Sequence, residues 1–212
     1  MVSKVKTKIK VFSKCKDDVI TDCKIWAREI EKSYSPDLIV FVSKSGFLFA
    51  KPIADYFNCE MLEVKACRPG EDKKNQIKKY IPRIPESVLR VVLSSKAMYG
   101  YNEENSDREV HIGANYKKVY SIPISRILII DDSADTGWTL VEVKEEVKKL
   151  FPNSEIRIGC YCEIDYSKNR IKVDYSRYRN TIVLTATSRY SPEHSMFISE
   201  LCEWRENSEK NQ

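Results

Sequence analysis

Apolar residues recur at helical spacing in the first part of the chain. Between residues 17 and 33 they lie three or four positions apart, and the pattern breaks at residues 33–36, which predicts a helix that ends there. Residues 37–42 then form an almost continuous apolar run with the length of a buried strand. A short polar turn and a second helical pattern to Phe57 follow. This part of the chain therefore predicts a helix and then a strand–loop–helix unit.

A second strand–loop–helix unit lies near the middle of the chain. Its pattern predicts a buried strand at residues 126–130, a polar loop at 131–137 and an amphipathic helix at 139–150. Strands that alternate with helices favour a mostly parallel sheet covered on both faces. We therefore predict an α/β fold with an open, doubly wound sheet and a ligand at the carboxyl ends of its strands. Further strands are predicted at residues 60–66, 156–161 and 181–184.

The domain organisation follows from the chain length and from one irregular segment. At 212 residues the chain suits one well-packed domain, which we place at residues 1–206. Residues 68–121 are charged and irregular, and we interpret them as a variable loop or hood insertion, with a helix near residues 86–98. Residues 207–212 are expected to form a disordered tail.

Composition excludes several classes of protein. The chain is 42% hydrophobic and 32% charged, which is typical of a soluble globular protein. No apolar run approaches the roughly 20 residues that cross a bilayer, and the N-terminus lacks the apolar core of a secretion signal. We therefore expect a cytoplasmic protein without a membrane partner. The seven cysteines form no CxxC pair, which favours reduced thiols over a zinc site.

The charge balance points to a small anionic ligand rather than to nucleic acid. The net charge of +5 is modest, and nucleic-acid binders usually concentrate a larger excess on one face. The densest basic run, residues 73–79, is interpreted as the solvated side of a helix. An anionic small molecule suits the same balance.

Residues 127–139 carry the clearest chemical signal. Asp131 and Asp132 follow a buried strand, and a loop of hydroxyl side chains with Gly137 then opens a helix. Carboxylates accept hydrogen bonds from ribose hydroxyls or hold a hydrated Mg²⁺ ion. A strand end and an ordinary helix cap would explain each residue singly, but not their order together. Backbone N–H groups at a helix start bind phosphate, and here they are predicted to belong to Asp135, Thr136, Gly137, Trp138 and Thr139.

This stretch closely resembles the signature of type I phosphoribosyltransferases, in which an apolar strand, two acids and a loop of the form Asp-Thr-Gly-x-Thr bind 5-phosphoribosyl 1-pyrophosphate (PRPP). Ser133 and Ala134 depart from it, since bulkier aliphatic residues are usual there, which affects packing more than binding. The resemblance implies the family's fold and Mg²⁺ as cofactor. It also implies that Asp131 and Asp132 bind the ribose and the metal, directly or through water. Asp135 is then the candidate catalytic group for the acceptor nitrogen.

The loop after the first predicted strand resembles the family's pyrophosphate loop. It contains Lys44, Ser45 and Gly46, which the resemblance implies are pyrophosphate-binding. In the family this loop often contains a non-proline cis peptide bond. A plain strand-to-helix turn with a solvated lysine is the alternative interpretation.

The acceptor site is less well marked. Residues 164–187 resemble purine-type members of the family, which implies that Lys168 or Lys172 contacts the base. The stacking aromatic residue expected in that segment is absent from residues 181–187. Tyr99, Tyr101 and His111 are candidates for the family's mobile loop, with a surface position as the alternative for the histidine.

The predicted activity is transfer of the phosphoribosyl group from PRPP to a nucleobase, purine-like rather than pyrimidine-like, with release of pyrophosphate. Two alternatives remain open. One is a regulatory protein that senses PRPP or a nucleotide without turnover, and the other is a transferase with a non-standard acceptor. A homodimer is a further expectation, since dimers are the commonest assembly of soluble proteins.

Overall fold

The computed structural model of the chain describes residues 9–67, 88, 108–113, 116–121, 123–164 and 170–210. The strands are β1 (Lys10–Ser13), β2 (Leu38–Val42), β3 (Glu60–Cys67), β4 (Glu109–Ile112), β5 (Arg126–Ala134), β6 (Glu155–Glu163), β7 (Tyr175–Arg179) and β8 (Thr181–Leu184). The helices are α1 (Lys16–Glu31), α2 (Gly46–Phe57), α3 (Tyr116–Tyr120), α4 (Trp138–Leu150) and α5 (His194–Lys210).

A mixed sheet forms the centre of the fold. In the described part of the chain it has six strands in the order β4-β3-β2-β5-β6-β7. The pairs β2–β3, β2–β5, β5–β6 and β6–β7 are parallel, and β3 pairs with β4 in the antiparallel direction. The predicted open and mostly parallel sheet is therefore confirmed.

Each face of the sheet has its own hydrophobic core, because side chains alternate along a strand. Strand β2 sends Ile39 and Phe41 into one core, where they pack with α1, α2 and α5. It sends Val40 into the other core, which α4 closes with side chains such as Val143. Full burial of one large apolar side chain, such as Trp26 at 1% exposed, contributes about 1.5 to 3 kcal/mol. The doubly wound arrangement is thus confirmed.

Two features differ from the expectations. Strand β8 pairs in parallel with β1 in a separate two-stranded sheet, because β7 already occupies the position beside β6. The predicted tail is wrong for residues 207–210, since α5 continues to Lys210. The last turns of α5 stay ordered because they cover the sheet edge, where Ser208 and Glu209 line a small cavity with His111.

Part of the prediction for residues 68–121 lies outside the described residues, including all of the helix expected near residues 86–98 except Val88. Strand β4 falls in this segment and was not predicted. None of the helices in the described ranges is long and apolar enough to cross a membrane. All seven cysteines are free thiols.

Candidate active site

Two loops meet where β2 and β5 end side by side. Because these strands are parallel neighbours, residues 43–45 and 135–137 leave the same edge of the sheet. A cavity of about 390 Å³ opens there, and its wall contains Asp131, Asp132 and all of residues 135–139. The predicted acidic pair and the predicted phosphate loop therefore share one site at the carboxyl ends of the strands, as the fold class requires.

The acidic pair lies within β5 rather than in a loop. The strand was predicted to end at Ile130, but it remains paired with β6 as far as Ala134. Asp131 and Asp132 are therefore held by the sheet, while the loop proper begins at residue 135. This corrects the loop boundary and gives both carboxylates a rigid support.

The two carboxylates carry closely spaced negative charge. Asp131 is 5% exposed, and one of its oxygens, Oδ1, accepts a hydrogen bond from the backbone N–H of Asp132 at 2.8 Å. Burial and the charge of Asp132 raise the pKa of Asp131 well above its usual value. Burial also raises the pKa of Asp132, although hydrogen bonds with Asp131 and Ser45 oppose the shift. A bound cation or hydroxyl donor would stabilise the ionised pair.

The acidic pair could supply two carboxylate ligands to a metal ion. Among the described residues, no group of three or more His, Cys, Asp or Glu side chains is placed to hold a metal ion. Mg²⁺ prefers oxygen donors and usually binds through one or two carboxylates, with water and substrate phosphates as its other ligands. Asp131 and Asp132 fit a magnesium ion bound in this way.

The residues of the predicted phosphate loop lie at the start of α4. Gly137 has a φ of 77° and precedes the first residue of the helix, and this left-handed conformation favours glycine over other residues. Its carbonyl accepts a hydrogen bond from the N–H of Val141 at 3.0 Å. The first N–H groups of a helix have no partner within it and lie at the positive end of the helix dipole. Residues 135–139 line the cavity at this helix start, so the loop can bind an anion.

The loop before α2 contributes Ser43 and Ser45 to the cavity wall. The peptide bond between Ser43 and Lys44 is cis, as the family resemblance led us to expect. Lys44 is exposed and is not part of the wall. Gly46 is buried, and a Cβ atom there would lie 2.9 Å from the carbonyl oxygen of Ile130. Gly46 thus lets the loop pack closely on β5.

Other predicted residues are not brought to this cavity. Lys172 has a side chain that is 89% exposed and lies 3.9 Å from a carboxylate oxygen of Asp174. Lys168, Tyr99 and Tyr101 lie outside the described residues. His111 has a side chain that is 60% exposed and lines a different, smaller cavity.

Two arginines near the site were missed by sequence analysis. Arg108 lies just before β4 and is the cationic residue of the cavity wall in the described part of the chain. Arg205 lies on α5 and donates a hydrogen bond to the hydroxyl of Ser43 at 3.1 Å. Neither residue belongs to a motif, and both reach the site only through tertiary contacts. The one available signal for Arg108 was its position in a charged segment beside the predicted sheet.

Comparison with known proteins tests the family assignment. The chain matches the model of the phosphoribosyl transferase domain over residues 16–188. Comparison with curated proteins gave no match.

Solved structures share the fold at low sequence identity. A purine phosphoribosyltransferase from Pyrococcus horikoshii is 20% identical, with a TM-score of 0.51 over 84% of this chain and 93% of that one. A xanthine-guanine-hypoxanthine phosphoribosyltransferase from Helicobacter pylori is 11% identical, with a TM-score of 0.56 over 89% and 99%. A hypothetical protein from Neisseria gonorrhoeae with bound ppGpp is 13% identical, with a TM-score of 0.52 over 93% and 98%.

The family match covers the parts of the chain that form the cavity. The matched segment begins at the start of α1 and ends beyond β8, so it contains the acidic pair and both loops. The family that the signature resembled is thereby confirmed. The chain belongs to the phosphoribosyl transferase domain family, a family of enzymes that transfer phosphoribosyl groups.

Proposed function

We propose that the protein transfers the 5-phosphoribosyl group of PRPP to a nucleobase, purine-like rather than pyrimidine-like, and releases pyrophosphate. One observation carries the proposal: the acidic pair, the helix start, Ser43 and Ser45 surround a single cavity. PRPP has a phosphate at one end of its ribose and a pyrophosphate at the other. A site for it needs two anion-binding loops with polar groups for the ribose between them.

The phosphate loop binds the 5-phosphate in this proposal. The N–H groups of residues 135–139 at the helix start donate hydrogen bonds to the phosphate oxygens, and the helix dipole adds favourable charge. The hydroxyls of Thr136 and Thr139 supply further donors. Gly137 permits close approach of the backbone.

Asp131 and Asp132 bind the ribose. Their oxygens accept hydrogen bonds from the ribose hydroxyls and, directly or through water, hold Mg²⁺. A Mg²⁺ ion held by these carboxylates would supply positive charge for the leaving pyrophosphate. The raised pKa values of both carboxyls support this role, because the ionised pair gains from such partners.

The loop before α2 binds the pyrophosphate. Ser45 lines the cavity, and its backbone and that of Gly46 offer N–H donors. Lys44 is exposed, so it contributes attraction at longer range. Arg108 lies in the cavity wall and adds a positive charge that the anionic ligand requires.

The reaction is a displacement at the anomeric carbon of the ribose. A nitrogen of the acceptor forms a bond to this carbon while the bond to the pyrophosphate oxygen breaks, and the electron pair leaves with pyrophosphate. Positive charge develops on the sugar, beside the carboxylates that hold its hydroxyls. Because both ends of PRPP are anchored, the acceptor meets a correctly oriented carbon. Asp135 accepts the proton that the acceptor nitrogen loses.

A purine-like acceptor is supported by the names of the Pyrococcus horikoshii and Helicobacter pylori proteins. Lys172 lies away from the cavity wall, which weakens its assignment to the acceptor. Lys168 therefore stays as the other predicted acceptor contact.

Calorimetric titration with PRPP and Mg²⁺, followed by an assay of pyrophosphate release with a panel of purine and pyrimidine bases, tests the proposal. We expect PRPP to bind and a purine to support turnover. The double variant Asp131→Asn and Asp132→Asn should lose PRPP binding. Asp55→Asn is the matched control, since Asp55 is an exposed carboxylate on α2. Binding without turnover by any base would favour a sensor instead, so ppGpp belongs in the panel of ligands.

A further inference from the structure

Helix α5 reaches the proposed pyrophosphate loop through Arg205. The Nη2 atom of Arg205 donates to the hydroxyl of Ser43 at 3.1 Å. Its Nε atom donates to Oε2 of Glu63 at 2.9 Å, and Nη2 also bonds Oε1 of the same carboxylate. One guanidinium group thus joins the last helix, strand β3 and the first residue of the loop.

The buried carboxylate of Glu63 holds the Arg205 guanidinium beside Ser43. Glu63 is 4% exposed, and its carboxylate also forms a hydrogen bond with the Ser43 side chain. The N–H of Ser43 donates to the carbonyl of Val64, the next residue of β3, at 2.9 Å. Ser43 is therefore fixed through both its backbone and its hydroxyl, just before the exposed Lys44 and the cavity-lining Ser45.

The docking of α5 has other support. Trp204, the neighbour of Arg205, packs against the rings of Phe41 and Phe47, with ring centroids 5.1 and 5.7 Å away. Phe197 and Leu201 of the same helix are each 1% exposed. Because apolar packing already holds the helix, the guanidinium group is not needed to anchor it.

We propose that Arg205 is a positioning residue that, together with Glu63, holds Ser43 and so orients the loop for pyrophosphate. This inference rests on the proposed function, because it assumes that the loop binds pyrophosphate. Arg205 contacts the loop rather than the ligand in this account. A loop held in its binding conformation avoids the free energy of ordering when the ligand arrives.

The two halves of PRPP allow a direct test. Inorganic pyrophosphate with Mg²⁺ probes the loop that Arg205 holds, and ribose 5-phosphate probes the phosphate loop and the acidic pair. We expect Arg205→Met to weaken pyrophosphate binding about three- to tenfold, the change that corresponds to ordering a side chain on binding. Its affinity for ribose 5-phosphate should stay within about twofold, since α4 and β5 are unaffected.

A second variant keeps the experiment informative if Arg205→Met folds poorly. Arg205→Lys retains a positive charge beside Glu63 but lacks the planar fork that binds Glu63 and Ser43 together. It should fold normally and still bind pyrophosphate more weakly than wild type. The matched control is Arg177→Met, because Arg177 pairs with the buried carboxylate of Asp22 at 3.2 Å and its side chain is 20% exposed, against 26% for Arg205. This control should leave the ratio of the two affinities unchanged.

Each outcome has a distinct meaning. Selective loss of pyrophosphate affinity in both Arg205 variants supports the positioning role. Unchanged pyrophosphate affinity, or an equal loss for both ligands, overturns it while leaving the proposed function intact. Wild-type protein that binds neither ligand nor PRPP would overturn the proposed function and this inference together.

Discussion

Replacement of Asp131 by Asn is expected to stabilise the unliganded protein while weakening its ligand binding. Asn retains a side-chain oxygen that can accept the 2.8 Å hydrogen bond from the N–H of Asp132. It removes one of two adjacent negative charges, and its amide can donate to the remaining carboxylate. The expected gain in stability and the expected loss of ligand binding have one cause. The negative charge of Asp131 repels Asp132 in the unliganded protein, and the same charge would attract Mg²⁺ or the ribose hydroxyls of the proposed ligand.

The sign of this stability change follows from the raised pKa of Asp131. A carboxyl whose pKa is higher in the folded state binds an extra proton between its unfolded and folded pKa values, so wild-type stability rises as the pH falls through this window. We therefore expect Asp131→Asn to raise the free energy of unfolding at pH 7, because burial and the charge of Asp132 disfavour the ionised Asp131 carboxylate in the folded state. For a chain of this size each kcal/mol corresponds to about 2 to 4 °C in Tm.

Thermal unfolding of wild type and variant from pH 4 to pH 8, without ligand, measures this difference. The advantage of the variant should be largest at neutral pH and should shrink towards pH 4, where the unfolded carboxyl also becomes protonated. Asp55→Asn, which removes one negative charge outside the cavity wall, is the control. An equal or lower Tm for Asp131→Asn at pH 7, or a difference that does not change with pH, would refute the reasoning.

Three further predictions concern other residues. Thr139→Val should weaken the binding of ribose 5-phosphate by about 1 to 3 kcal/mol, the usual effect of losing a hydrogen bond to a charged group, and calorimetry would measure it. Gly137→Ala should lower the free energy of unfolding by about 1 to 2 kcal/mol in chemical denaturation, because φ is 77° there. Asp22 has a pKa lowered to about 2 despite its burial, through hydrogen bonds from Lys14, Tyr178 and other neighbours. The ionised Asp22 should therefore contribute about 2 to 3 kcal/mol to the free energy of unfolding above pH 4, and this contribution should be lost as the pH falls towards 2. Acid unfolding of Asp22→Asn should not show this loss.

The central elements could be predicted because each buries a regular apolar face. Helix α1, strand β2 and strand β5 repeat apolar residues at the spacing of their own structure, and their predicted positions lie close to those observed. The strands that were missed at the edges of the main sheet are β4 and β7. They contain charged residues, such as Glu109 in β4 and Arg177 in β7, because an edge strand is less covered than a central one. Their pattern therefore resembles that of a loop.

The residues of the candidate site also fall into those that could be predicted from the sequence and those that could not. The acidic pair and the predicted phosphate loop are contiguous in sequence, so the motif could be recognised, and its residues placed at one site, before the fold was known. Arg108 and Arg205 reach the same region from distant parts of the chain, and no local pattern distinguishes them from solvated arginines. Lys44 shows the converse, because it belongs to the loop motif while its exposed side chain does not line the cavity.

Calorimetric titration of the wild-type protein with PRPP and Mg²⁺, beside the double variant Asp131→Asn and Asp132→Asn, tests the central claim most directly. We expect saturable binding of PRPP by the wild type and loss of that binding in a variant that remains folded. Equal binding by both proteins would show that the acidic pair does not hold the ribose. Absence of binding by the wild type would contradict the assignment of this cavity as a PRPP site.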